Sequence, residues 1–138
     1  MTSLEQQRMK LAWELLSDPR RLDQDESAWK NKDNAKKYLT ALRRTPSRIH
    51  TSGLGQALAF LRSRDADAGK HAYADLSKGV RDLLGRPGSG DLLAELRTGD
   101  LAFLMRATDE TMLLATWMTR YLTGAGVKTL VNDEGENP

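Results

Sequence analysis

Basic side chains are concentrated in residues 30–48, where seven of them stand beside a single acidic residue, Asp33. The segment carries a charge of +6, in a chain whose net charge is +2. The seven are Lys30, Lys32, Lys36, Lys37, Arg43, Arg44 and Arg48. At the helical period, Lys30, Lys37 and Arg44 align on one face. A solvated helix usually intersperses acidic residues that relieve such repulsion. The pattern therefore predicts a face that binds nucleic-acid phosphates.

The histidines and glycines do not form a recognisable catalytic or nucleotide-binding motif. His50 and His71 are the only histidines, and neither has a second histidine at zinc-binding spacing. The sequence Gly53-Leu-Gly55 lacks the preceding strand and the third glycine of a dinucleotide-binding loop. The glycine-rich segment 85–90 lacks the Gly-Lys-Ser/Thr ending of a phosphate-binding loop, so we interpret it as a linker.

Acidic residues cluster in segment 18–26, but this cluster lacks the central glycine of a calcium-binding loop. No pair of carboxylates lies on an evidently apolar helix face, where it could act as general acid and base. The chain also has no cysteine, which excludes disulfides and thiol catalysis. We therefore expect no enzymatic activity, no cofactor and no metal ion.

The length of 138 residues is that of one domain. The mean hydropathy of −0.57 is typical of a soluble globular protein. The first residues are polar where a signal peptide would be apolar, and no apolar run approaches the roughly 20 residues of a membrane span. We expect a cytoplasmic protein with no membrane partner.

Helical periodicity extends over almost the whole chain. It predicts helices at about 3–17, 28–44, 53–63, 67–84, 91–97 and 100–123, the last with a possible break near Thr108. Pro46 is expected to end the second helix. The predicted fold is all-α, a compact bundle of five or six helices. Residues 1–131 would form a single domain, followed by a disordered acidic tail at 132–138.

Apolar spacing also predicts which side chains are buried. In the third helix, Leu54, Ala57, Leu58 and Leu61 form an inward stripe, and we also expect Phe60 to be buried. The last helix is apolar on two sides and should therefore lie centrally in the bundle, with Trp117 in the core. The first helix is also two-sided, which makes it the better candidate for contact with a partner protein.

Two longer motifs resemble a known family. Residues 46–63 read Pro-Ser-Arg-Ile-His-Thr-Ser-Gly-Leu-Gly-Gln-Ala-Leu-Ala-Phe-Leu-Arg-Ser. Near the end, the chain reads Thr108-x-Glu110-x-x-Leu113-Leu114-x-x-Trp117-x-x-Arg120-Tyr121-Leu122. The first helix is polar and carries a tryptophan. In order, spacing and total length, these features resemble the small helical subunit of the type III-B CRISPR effector, the Cmr complex.

The resemblance implies a non-catalytic subunit of a ribonucleoprotein in antiviral defence. Several copies would stack as a filament beside other Cmr subunits and support the guide RNA and its target RNA. The matched motifs are largely apolar and do not identify RNA contacts. The RNA-binding residues are therefore assigned from the basic segment alone.

Two other functions remain as alternatives. A helix-turn-helix DNA-binding protein would need an exposed, polar recognition helix, whereas the helix after the turn is mostly apolar. A small helical adaptor that binds only proteins would leave the basic face unexplained.

Overall fold

Six α-helices make up the described part of this computed structural model, which covers residues 2–16, 32–63, 67–86 and 88–124. No strand occurs in those ranges. The helices are α1 (Leu4–Leu16), α2 (Lys32–Ser52), α3 (Leu54–Ser63), α4 (Asp67–Leu83), α5 (Leu92–Thr98) and α6 (Leu101–Gly124). The predicted all-α bundle is confirmed. The acidic loop at 18–26, the start of the second helix at 28–31 and the tail at 132–138 lie outside the described residues.

Helix α6 packs against α1, α2 and α4, and α2 also packs against α3 and α4. The core where these helices meet includes Leu42, Leu58, Leu76, Leu114 and Met118, all of which are fully buried. The central position predicted for the last helix agrees with these contacts. The prediction of a break near Thr108 is wrong, because α6 is continuous. The Thr108 hydroxyl donates to the Leu104 carbonyl oxygen at 2.7 Å, within the same helix.

Pro46 lies inside α2 and does not end it, contrary to the sequence prediction. Proline lacks an N–H donor and costs a helix interior about 3 kcal/mol. Here the Ile49 side chain, which lies beyond the proline, is buried in the core. Burial beyond the proline favours the longer helix. The turn to α3 follows at Gly53, which has a φ of +89°.

A glycine in the middle of α4 lets three helices approach closely. A Cβ atom built on Gly79 would lie 2.5 Å from Leu114 Cδ2 and 2.9 Å from Leu15 Cδ1. Leu114 belongs to α6 and Leu15 to α1, and both side chains are buried. The missing side chain at residue 79 therefore makes room for this packing.

The glycine-rich segment after α4 is held by Arg81 rather than being a plain linker. The Arg81 guanidinium donates to the Gly88 carbonyl oxygen at 2.8 Å and to both carboxylate oxygens of Glu95, at 2.9 and 3.1 Å. The hydrogen bond to Glu95 raises the pKa of Arg81 above its usual value. A Cβ on Gly90 would collide with the guanidinium, so glycine is needed there for steric reasons.

Asp91 begins α5 as its N-cap, where its carboxylate accepts a hydrogen bond from the Ala94 N–H at 3.1 Å. It also accepts from the Tyr73 hydroxyl and pairs with Arg62 at 3.0 Å. Burial opposes ionisation of Asp91, but these partners outweigh it and lower the pKa of the carboxyl. Burial, together with Asp91, raises the pKa of the Tyr73 hydroxyl.

Candidate nucleic-acid interface

Helix α2 presents three exposed cations, Lys37, Arg43 and Arg44. Within the described ranges, no carboxylate pairs with any of them. Their orientation follows from the opposite face of the same helix, where Tyr38, Leu39 and Leu42 are buried. The three side chains are therefore fixed on the solvent side of α2, where an anion can approach them.

The remaining predicted RNA-binding residues occupy different environments. Lys36 and Arg48 are half-buried on α2. Lys32 is the first residue of α2, but its side chain lies outside the described part, as does the whole of Lys30. The described structure thus brings Lys36, Lys37, Arg44 and Arg48 to one side of α2. It places Arg43 on the same helix but away from the cavity described next.

A cavity of about 510 Å³ lies between α2, α3 and α4. Its wall on α2 carries four cations together with Thr40 and Ala41. Phe60 and Leu61 line it from α3, and Ala68 and Gly69 from α4. The cavity therefore combines an apolar wall with a concentration of positive charge, a composition that suits a ligand with both a flat apolar part and an anionic part.

Phe60 is 39% exposed, so the prediction that it belongs to the core is wrong. The Arg48 guanidinium carbon lies 3.6 Å from the centroid of the Phe60 ring, a cation–π contact. Leu54, Ala57, Leu58 and Leu61 are buried as predicted. Phe60 lies roughly 110° from the centre of that stripe at 100° per residue. A helical projection would therefore have placed it outside the apolar face.

The histidines occupy different helices in the structure. His50 is exposed near the end of α2, and His71 is half-buried on α4. In the described part of the chain, no three His, Cys, Asp or Glu side chains are grouped so that they could hold a metal ion. The principal feature that the described residues offer for ligand chemistry is therefore the basic surface on α2 and the cavity beside it.

None of the helices in the described ranges combines the length and the apolar character needed to span a bilayer. The fold and the charge distribution together define a small all-α protein with a basic surface on its second described helix.

The comparisons with known proteins identify the family. The family model described as CRISPR-associated protein (Cas_Cmr5) matches residues 4–125, and the chain belongs to this family of CRISPR-associated proteins. This assignment makes it a small subunit of the Cmr type of CRISPR effector, as the sequence motifs predicted.

A solved structure supports the same assignment. The crystal structure of a CRISPR-associated Cmr5 family protein from Thermus thermophilus superposes with a TM-score of 0.63 at 25% sequence identity. The similarity covers 95% of this chain and 99% of the Thermus chain. A search of curated proteins gives no significant match.

Proposed function

We propose that this chain is a non-catalytic subunit of a type III-B Cmr ribonucleoprotein that supports guide RNA and target RNA through backbone contacts. The observation that carries the proposal is the exposed set of Lys37, Arg43 and Arg44, which no carboxylate neutralises within the described structure. Like charges at helical spacing repel one another, and a polyanion along α2 would relieve that repulsion.

The proposed mechanism is electrostatic. Lysine and arginine side chains that contact phosphates release condensed counterions and bind without regard to sequence. In an RNA-guided complex, sequence is read by base pairing, so a supporting subunit needs only positive charge along the strand. The basic surface on α2 meets that requirement without a base-reading element.

We propose that copies of the chain stack through apolar surfaces outside the basic region. On α6, Leu101 is 69% and Met105 60% exposed, and Leu104 beside them is also exposed. On α1, Leu4 and Trp13 are exposed as well. A head-to-tail contact between two different surfaces of this kind does not close on itself and produces a filament. Exposed apolar side chains at helical spacing are typical of protein–protein contacts.

The absence of catalysis is also part of the proposal. The two histidines lie on different helices, and the described residues contain no metal-binding cluster. Target cleavage, which the family resemblance assigns to a neighbouring subunit, would then depend on this chain only for the position of the strand.

A helix-turn-helix function has less support. Helix α3, which follows the turn, buries its inner stripe against α2 and α4. Its exposed polar side chains include Gln56 and Arg62, but Arg62 is engaged in an ion pair with Asp91 at 3.0 Å. A DNA duplex is nevertheless included as a competitor in the test below.

The test is charge reversal in a reconstituted complex. The triple variant Lys37→Glu, Arg43→Glu and Arg44→Glu is assembled with guide RNA, and its affinity for target RNA is measured across a salt series. Each lost phosphate contact should lower the log–log salt slope by about 0.7 for a single strand. We expect weaker binding and a flatter slope.

The control variant carries the same change in charge elsewhere. Lys78, Arg106 and Arg120 are exposed cations on α4 and α6, and their replacement by glutamate should alter RNA affinity much less. If the α2 variant assembles normally and binds target RNA with the wild-type affinity and salt slope, the basic surface is not the RNA interface. Preferential competition by duplex DNA would favour the helix-turn-helix alternative.

A further inference from the structure

We propose that the cavity between α2, α3 and α4 holds one unstacked RNA nucleotide, whose base lies against the Arg48–Phe60 pair and whose phosphate lies on the basic side of the cavity. This inference rests on the proposed RNA-binding function. It goes further because it gives the subunit a contact with a base and not with the phosphate backbone alone.

The geometry of the Arg48–Phe60 pair supports the position of the base. The guanidinium carbon lies 3.6 Å from the ring centroid, and Phe60, which lines the cavity, is 39% exposed. Unstacked bases bind to proteins by stacking on aromatic rings and on guanidinium planes. Because the guanidinium lies over one face of the ring, the base would stack on an outer face of this pair, and both side chains line the cavity.

The charges around the cavity support the position of the phosphate. Lys37 and Arg44 are exposed cations that line the cavity from α2. On the opposite wall, Leu61 and Ala68 are buried and apolar. A nucleotide matches these two walls, because it has a flat, weakly polar base at one end and an anionic phosphate at the other.

The size of the cavity is compatible with such a ligand. Its volume of about 510 Å³ lies within the range of small-molecule sites in proteins, roughly 300–1,000 Å³. A free inorganic anion would contact the cations but not the apolar wall, and an aliphatic ligand would not contact the exposed charges of Lys37 and Arg44. A nucleotide uses both parts of the lining.

The experiment compares a normal and an abasic oligonucleotide. Purified full-length chain is titrated at low salt with fluorescein-labelled single-stranded RNA of about 12 nucleotides, a length within the range that one small domain covers. The second probe has the same length and phosphate charge but lacks the bases. We expect the wild-type chain to bind the RNA more tightly than the abasic strand, with equal salt slopes.

Two variants test whether the difference arises in the cavity. Loss of a base–aromatic stack is worth a factor of about 5 to 150 in affinity. Phe60→Ala should therefore weaken RNA binding by that factor and leave the abasic strand unaffected. Arg48→Lys keeps the charge but removes the planar stacking surface, and it should also reduce the preference for RNA over the abasic strand.

Matched controls distinguish the loss of base stacking from the loss of any exposed side chain and from unfolding of the variant. Phe60→Tyr retains the ring and should retain the preference. Leu113→Ala removes an exposed apolar side chain that does not line the cavity, and it should leave both affinities unchanged. Circular dichroism verifies that each variant is folded.

The outcomes distinguish this inference from the proposed function. Equal binding of both strands by the wild-type chain, or a preference that survives Phe60→Ala, would overturn the nucleotide site and leave the phosphate-binding surface in place. If neither strand binds the isolated chain at low salt, the nucleotide site is overturned, and the charge-reversal test in the assembled complex decides the proposed function.

Discussion

Arg8 in α1 and Glu110 in α6 lie 102 positions apart in the sequence and form a bidentate ion pair. Arg8 Nε donates to Glu110 Oε1 at 2.5 Å, and Nη2 donates to Oε2 at 3.1 Å. Glu110 is only 6% exposed. The pair therefore fixes the first helix to the last, and it explains structurally why a charged residue occupies the motif Thr108-x-Glu110.

Removal of one partner of this pair should be costly. Arg8→Met leaves the Glu110 carboxylate buried without its main partner, and we expect a loss of about 3–5 kcal/mol in the free energy of unfolding. The double variant Arg8→Met and Glu110→Leu should lose less than Arg8→Met alone, because no unpaired charge remains. Urea titrations of the single and double variants measure both quantities.

The exposed pair of Lys10 and Glu14 in α1 provides the control, at an N–O distance of 3.9 Å. Lys10→Met should change the free energy of unfolding by no more than about 0.5 kcal/mol. Equal losses for Lys10→Met and Arg8→Met would mean that burial of the Arg8–Glu110 pair has no energetic consequence.

Gly79→Ala tests the close packing of α1, α4 and α6. Alanine favours a helix interior over glycine by about 1 kcal/mol. The new Cβ would, however, lie 2.5 Å from Leu114 Cδ2, and overpacking of this kind typically costs about 1–3 kcal/mol. We expect a net loss of stability in thermal and urea unfolding.

Gly55→Ala in α3 is the matched substitution, because nothing lies within 4 Å of its added Cβ. It should be neutral or stabilising. A stabilising effect of Gly79→Ala similar to that of Gly55→Ala would show that the three helices adjust without cost.

Leu58 and Phe60, two residues apart on α3, should respond differently to truncation. Leu58 is fully buried, and Leu58→Ala should cost about 2–5 kcal/mol. Phe60→Ala removes mainly a partly exposed contact with Arg48, with an expected cost of about 1 kcal/mol. Urea unfolding distinguishes the two, and a larger loss for Phe60→Ala would place that ring in the core after all.

Stability at acid pH should depend on Asp91. Its folded pKa lies below the unfolded value of about 3.9, so its contribution is present above that pH and is lost as the pH falls through the lower folded pKa. Asp91→Asn keeps an N-cap acceptor for the Ala94 N–H but removes the charge. The variant should lose less stability than the wild type between neutral pH and about pH 3.

Urea midpoints measured across that pH range test the prediction. Parallel curves for the wild type and Asp91→Asn would show that the hydrogen bond from Tyr73 and the ion pair with Arg62 do not favour the ionised carboxylate.

The purified chain should not cleave RNA, with or without divalent metal ions. The imidazoles of His50 and His71 are the side chains suited to acid–base catalysis at neutral pH, and they lie on different helices. Cleavage that disappeared in His50→Ala or His71→Ala would contradict the non-catalytic proposal. In an assembled complex, target cleavage should persist when both histidines are replaced, provided that assembly is intact.

The sequence alone determined the fold class, the burial of the α3 stripe and the concentration of positive charge on α2. These properties are local, because helical spacing decides which side chains share a face, and apolar faces turn inward whatever their partners are. The same reasoning failed at Pro46. The local preference for a helix end was outweighed there by the burial of Ile49 in the core, where α2 packs against α3, α4 and α6.

Only the tertiary structure decided how deeply individual side chains are buried and which side chains of different helices contact one another. Trp117, predicted to be in the core, packs against it but is half-buried, with its ring 5.6 Å from that of Tyr121. The contact of Arg48 with Phe60, the cavity next to them and the pairing of Arg8 with Glu110 each join different helices. Their existence depends on the angles and distances at which those helices pack, which the spacing of residues along one helix does not specify.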